Sequence, residues 1–273
     1  MPKLISVILG TFTLAALLIA SAPASSAPPA ASTCPPGMKS IPGGSYTVFG
    51  SNEHATVQPF CLDTTEVTVE AFSACVAAKG CATPSATGNP PSKFDQFCNY
   101  HHPENRGKHP INCVDWAQAQ AYCAFAGKRL PTQYEWNWAA QGGSKGNSYP
   151  WGKQRPTATL ANGCGPECFA NLTKKLGMKP NEAQRPLYPD NDGWPETAPV
   201  GSFKAGENPF GLLDMAGNVS EWNATQEKGP KDVRYGICGG SWIDESPENL
   251  YSFRANSLPR DGRMPIVGFR CAK

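Results

Sequence analysis

Hydrophobic and polar residues alternate with a sustained helical period in only a few parts of this chain. Elsewhere the apolar runs are short and broken by Gly and Pro. Residues 4–20 form an apolar stretch interrupted only by small or hydroxyl residues, with Lys3 before it and small residues at 21–27 after it. That order is the pattern of a secretory signal peptide, with cleavage after Ala24 or Ala27, so residues 1–24 are expected to be removed. A Pro/Ala/Ser-rich spacer over 25–34 then leads into one domain over 35–273. Residues 38–60 read as short strands and tight turns punctuated by Gly43-Gly44 and Gly50-Ser51. Thr64-Thr65-Glu66 sets up a helix start, followed by Val69, Phe72, Cys75 and Val76 on successive turns. Asp115 caps a second, Ala-rich helix that Gly127 ends. Pro131-Thr132 opens a third, whose Tyr134, Trp136 and Trp138 are core positions rather than a binding platform. From Gly142 to about Pro199 the period fades into Gly, Asn, Pro and Asp, and a loop that long needs cations or disulfides to hold it. Strand-like pieces return around Val200, Gly240-Ser241-Trp242 and Val267-Gly268-Phe269, and there is no internal repeat.

Composition narrows the function. With 24 Lys+Arg against 22 Asp+Glu, the chain offers no electrostatic case for nucleic acid or an anionic membrane surface. No second apolar stretch is long enough to span a bilayer. Eleven cysteines place the protein in an oxidising compartment, secreted or periplasmic, and the odd number leaves at least one without an intrachain partner. Cys34 as a lipid-anchored residue is a weaker alternative, because Thr33 is a poor neighbour for lipidation and the apolar stretch ends too far upstream. Proximity suggests the pairs Cys75 with Cys81, Cys98 with Cys113 and Cys164 with Cys168. A zinc site on Cys164, Cys168 and a nearby His lacks a second close pair, and His101-His102 read as solvated side chains.

Several short motifs, in order, carry a resemblance. They include Ile41-Pro42-Gly43-Gly44, Asp63-Thr64-Thr65-Glu66-Val67-Thr68, Gly127-Lys128-Arg129-Leu130-Pro131-Thr132, Pro150-Trp151-Gly152, Leu213-Asp214-Met215-Ala216-Gly217-Asn218-Val219, Gly239-Gly240-Ser241-Trp242 and Gly268-Phe269-Arg270-Cys271. Together they resemble the formylglycine-generating enzyme, or sulfatase-modifying-factor, family. The resemblance implies an α+β, loop-rich, C-type-lectin-like fold with little regular secondary structure. It also implies a disulfide from Cys123 to Cys271, which would tie the Ala-rich helix to the end of the chain.

The family's copper chemistry uses two thiols, three and eight residues after the serine of the Gly-Gly-Ser-aromatic motif. Here those positions are Asp244 and Asn249, which cannot act as soft ligands for copper(I), and an aromatic position of the family is Ser220. Copper is therefore not expected, nor is formylglycine-generating activity. Cys238 lies on the wrong side of the motif to replace the pair and reads as buried or disulfide-bonded. Ser241, Trp242, Asp244 and Arg254 remain as pocket candidates, with Arg263 loosely aligned beside them.

The resemblance implies structural calcium at two sites. One maps to the Asn162 side chain, the Gly163 carbonyl, the Asp192 side chain and the Trp194 carbonyl, with Asn171 competing for the role of Asn162. The other maps to Asp214, Gly217, Val219 and Glu221. Carboxylates mixed with carbonyls suit calcium, which takes six to eight hard oxygens. The bland reading of Asp190-Asn191-Asp192-Gly193 is an ordinary turn. Two functions compete: a secreted module binding a protein, peptide or glycan, and a divergent enzyme of the same family. The enzyme would be either of formylglycine-generating type or similar to the family's siderophore-maturation branch, with Asp244, beside Glu245, as a general base. The sulfoxide-synthase branch is set aside, because it needs a further helical domain bearing His ligands.

Overall fold

A computed structural model describes residues 33–178, 185–229 and 232–273, so the expected signal peptide and most of the spacer lie outside the described residues. Four short strands come first: β1 (Met38–Ile41), β2 (Gly44–Thr47), β3 (His54–Val57) and β4 (Phe60–Asp63). β1 pairs with β4 and β2 with β3, both antiparallel. Helix α1 (Val69–Ala77) starts later than the Thr64-Thr65-Glu66 signal suggests. Val67 is held extended, donating its N–H to the Phe269 carbonyl and accepting from Ile111, so the chain cannot coil before Thr68 caps the helix.

A single turn, α2 (Pro103–Arg106), precedes α3 (Trp116–Phe125) and α4 (Gln133–Ala140). Both longer helices begin with reciprocal capping boxes, Asp115 with Gln118 and Thr132 with Glu135. Val69, Phe72 and Cys75 of α1 and Trp116, Ala119 and Cys123 of α3 point into one core with Trp222, Val267 and Phe269. Trp136 and Trp138 of α4 enter a second core with Ile41, Leu62, Leu212 and Met215.

The span from Gly142 to Pro199, expected as a long loop, contains an eleven-residue helix, α5 (Pro166–Leu176), whose Cys168, Leu172 and Leu176 recur at helical spacing on its packed face. Its ends were legible, since Pro166 stands at the first helical position, Lys174 and Lys175 in the last turn, and left-handed Gly177 just beyond. The rest of this span packs its own small core of Tyr149, Ala161, Leu187 and Tyr188 with Ala216 and Leu250. The C-terminal part forms the largest sheet, from β5 (Ser220–Lys228), β6 (Val233–Cys238), β7 (Ala255–Pro259) and β8 (Val267–Gly268), in the order β7-β6-β5-β8. Val200 and Gly240-Ser241-Trp242, expected as strand-like, lie in turns and loops. Gly239 and Gly240 have φ of 101° and 68°, which is incompatible with a strand.

Five disulfides brace the described residues: Cys34–Cys61, Cys75–Cys81, Cys98–Cys113, Cys123–Cys271 and Cys164–Cys168. The Cys34 sulfur, bonded to Cys61, has no valence left for a lipid thioether. Cys164 and Cys168, bonded to each other, cannot act as zinc thiolates. Cys238 alone keeps a free, buried thiol, whose pKa burial pushes up, so it is a poor nucleophile. Bridges of this number form in an oxidising compartment. Among the described residues no helix is long and apolar enough to cross a membrane.

Candidate functional site

A cavity of about 300 Å³ opens between α5 and the loop after β6. Phe169, Leu172, Thr173 and Met178 line one side, and Ile243, Asp244, Glu245 and Asn249 the other. Asp244 and Asn249, the two residues at the thiol positions of the resembled family, are bonded to each other, with Asn249 Nδ2 donating to Asp244 Oδ1 at 2.6 Å. The second carboxylate oxygen accepts from the Ser241 N–H at 2.7 Å and the Ser241 hydroxyl at 2.9 Å. Burial pushes the Asp244 carboxyl above its ordinary range, although these donors and the charge on Arg254 oppose the shift.

Of the four pocket candidates, only Asp244 lines the cavity. Ser241 lies behind it as its hydrogen-bond anchor. Trp242 is buried against Phe97, with its indole N–H donated to the Pro265 carbonyl. Arg254 is exposed and acts on Asp244 only through its field. Arg263 lines a neighbouring apolar cavity of about 270 Å³ with Phe94, Met264 and Ile266, and its Nη1 lies 3.6 Å from Asp115.

The first mapped cation site is rich in oxygen acceptors. The Tyr188 hydroxyl sits 2.5 Å from Asp192 Oδ2, 3.0 Å from the Ala161 carbonyl and 3.2 Å from the Gly163 carbonyl, while itself accepting from the Gly163 N–H. Asp192 Oδ1 accepts from the Trp194 N–H, so the tight turn expected at 190–193 is also present. The Asp192 N–H donates to Glu167 Oε1, and the Asp192 carboxyl is pushed up to about 7, mainly by burial, with the nearby Glu167 carboxyl adding to the rise. Asn162 Nδ2 donates to the Glu196 carbonyl, whereas its Oδ1 is buried without a partner. Asn171 donates instead to Pro195 and to the Glu196 carboxylate. A buried amide oxygen without a donor is a group that a hard cation would complete.

The second mapped site fits only in part. Both Glu221 oxygens are taken at 2.7 Å by Arg270, and Oε2 also accepts from the Trp136 indole at 2.8 Å. The Asp214 backbone is left-handed at φ 56°, and its carboxylate accepts from the Gly201 N–H. Gly217 packs so closely on the Asn162 carbonyl that a Cβ there would lie 2.0 Å from it, and Val219 is buried. Glu66, expected at a helix start, puts a fully buried carboxylate beside Asp214 with Oε2 unpartnered. Burial first, and then the Asp214 charge, hold Glu66 well above its normal pKa. Among the described residues no three His, Cys, Asp or Glu side chains gather as a ligand group, so carbonyl and amide oxygens would have to complete either shell.

Beneath Phe97 a polar cleft of about 350 Å³ is lined by Asn99, His102, Arg106, Lys175 and Glu196. Arg106 and Lys175 both pair with Glu196. His109, buried behind the cleft at 3.0 Å from the Thr197 hydroxyl, is lowered to about 4 by burial and by the Arg106 charge. The folded state therefore prefers neutral His109, and that stability is complete above pH 6.5 and is lost as the pH falls toward 4. Urea unfolding across this window is expected to show a loss of about 3 kcal/mol that H109N lacks. Parallel pH profiles for the two chains would refute the assignment.

This site sits on a disulfide-braced α+β, loop-rich scaffold, with an Asp–Asn pair at the floor of its pocket. The sulfatase-modifying factor enzyme 1-like domain matches residues 23–273, and the chain belongs to that family. The formylglycine-generating enzyme of Streptomyces coelicolor is 32% identical over 279 residues, covering 84% of this chain and 83% of that one. Inactive C-alpha-formylglycine-generating enzyme 2 of Bos taurus is 39% identical over 170 residues, covering 60% of this chain and 50% of the relative. The chain spans about half the length of the bovine and mouse relatives it matches. Among solved structures, PvdO from Pseudomonas aeruginosa superposes with a TM-score of 0.60 at 24% identity, covering 86% of this chain and 93% of PvdO. CarF gives 0.58 at 22%, covering 86% and 97%. These two likenesses establish the shared fold, that of the formylglycine-generating enzymes.

Proposed function

We propose that the protein is a secreted or periplasmic, calcium-stabilised binding module that keeps the family scaffold without its copper oxidase chemistry. One observation carries this reading: the two thiol positions hold an Asp and an Asn that satisfy each other at 2.6 Å on the floor of an open cavity. Copper(I) needs soft sulfur donors, and a carboxylate hydrogen-bonded to an amide supplies none. The cavity suits a ligand with an apolar body against Phe169, Leu172 and Ile243 and a donor or cationic head against Asp244 and Glu245. A side chain presented by a peptide or protein matches that chemistry better than a glycan does.

Calcium in this reading is structural. Asn162, Gly163, Asp192 and Trp194 would hold one ion, and Asp214, Gly217 and Val219, with Glu66 in place of Glu221, the other. Bound ions would supply positive charge to buried oxygens that lack donors. A second reading, catalysis with Asp244 as general base, is favoured by the raised pKa of that carboxyl.

Oxygen uptake with a cysteine-containing sulfatase-motif peptide and copper is the test that separates binding from inherited chemistry. No uptake above the copper background is expected, and sustained turnover would overturn the proposal. For the pocket itself, ligand-observed NMR with phenethylamine is expected to show saturation transfer that T173W, at the cavity rim, abolishes. Equal transfer in both chains would refute the assigned site.

A further inference from the structure

We propose that Glu167 supplies a second carboxylate to the cation site of Asn162 and Asp192, and thereby ties cation binding to the helix that walls the ligand cavity. The inference rests on the calcium reading above but adds a ligand outside the set the family resemblance implies. It starts from a count of donors and acceptors. Three oxygens, from Ala161, Gly163 and Asp192, converge on the Tyr188 hydroxyl, which has one proton to give; Gly163 also accepts from the Gly165 N–H, which leaves Ala161 and Asp192 to share that proton. Glu167 Oε2 and Asn162 Oδ1 are both buried and have no hydrogen-bond partner. With the Glu167 carboxylate reached by the Asp192 N–H, acceptors here exceed donors, and a hard divalent cation would complete what a proton completes only in part.

The placement of Glu167 is built into the backbone. It stands in the first turn of α5, and its carboxylate folds back over Gly165, where a Cβ would meet Oε1 at 2.5 Å and Oε2 at 2.9 Å. The Asp192 N–H donates to Oε1 at 3.5 Å. A helix N-terminus favours an acidic residue in any case, yet that field leaves Oε2 without a partner. Because α5 also carries Phe169, Leu172 and Thr173 of the cavity wall, a cation gripping Glu167 would fix that wall. The adjacent Cys164–Cys168 bridge anchors the same turn, so the remaining freedom lies further along the helix.

Calorimetry with Ca²⁺ on the mature chain and on E167Q is the test, together with melting in chelator and hydrogen exchange of α5. E167Q is expected to weaken one binding event at least about tenfold, because ligand charge count sets calcium affinity. It is also expected to melt in chelator at the same temperature as the unaltered chain or higher, since the Glu167–Asp192 repulsion is relieved. Calcium should slow amide exchange across α5 in the unaltered chain and not in E167Q. Unchanged calcium affinity in E167Q, with the unaltered chain binding normally, would overturn this inference alone. A melting loss of equal size with and without calcium would reduce Glu167 to a structural role and overturn it as well. No calcium binding by the unaltered chain would remove the calcium reading and this inference with it.

Discussion

Replacing Arg270 with methionine is expected to lower the free energy of unfolding by about 3 to 5 kcal/mol, enough to leave the chain largely unfolded at moderate temperature. Arg270 is fully buried and uses its whole guanidinium fork. Nε and Nη2 each donate to Glu221 at 2.7 Å, Nη2 also reaches the Leu213 carbonyl at 2.9 Å, and Nη1 donates to the carbonyls of Asp63 and Thr64. It is also the cation that faces the buried carboxyls of Glu66 and Asp214. Its removal would leave Glu221 charged and unpaired in the core, which costs far more than the pair contributes over an apolar replacement. The double variant E221M/R270M should therefore recover part of the loss. R270K should fall between the unaltered chain and R270M, since lysine keeps the charge but offers three donors in place of the planar fork. Chemical denaturation of the four chains checks the order, and an R270M chain within about 1 kcal/mol of the unaltered protein would show that the ion pair is not structural.

The second large effect is expected from the Cys123–Cys271 bridge. It joins α3 to the chain terminus across a sequence separation of 148, and in the chain-entropy model a loop of that length contributes about 5 kcal/mol. The C123A/C271A variant should lose close to that amount. C164A/C168A, closing a separation of 4, should lose only about 2 kcal/mol. The contrast matters for the site, because the short bridge lies in the cavity wall while the long one holds the scaffold. Thermal unfolding of both variants checks the ranking. Equal losses would mean that packing around the sulfurs, rather than loop closure, sets their contribution.

Where a feature depends on neighbours within one or two helical turns, the sequence carried it. The caps at Asp115 and Thr132 lie three residues from their partners and are visible in the order of residues alone. The replacement of two soft ligands by Asp244 and Asn249 is likewise a fact of residue identity. The helix α5 lies in a span expected as loop, although Cys168, Leu172 and Leu176 stand four apart between Pro166 and Gly177 and are open to the same local reading. Tertiary structure decided the rest, because it concerns groups whose meeting depends on how distant segments pack. Glu66 reads locally as a helix-start residue and becomes a buried carboxylate only when Asn218, from 152 positions away, donates to it. Glu221 reads as an oxygen ligand until Arg270, 49 positions on, claims both of its oxygens. Asp244 and Asn249 could each have faced solvent, and it is the fold of the loop on Ser241 that turns them toward each other. Side-chain chemistry is written residue by residue, but which donors each buried oxygen meets is set by long-range packing, and that balance determines whether a carboxylate pairs, protonates or awaits a cation.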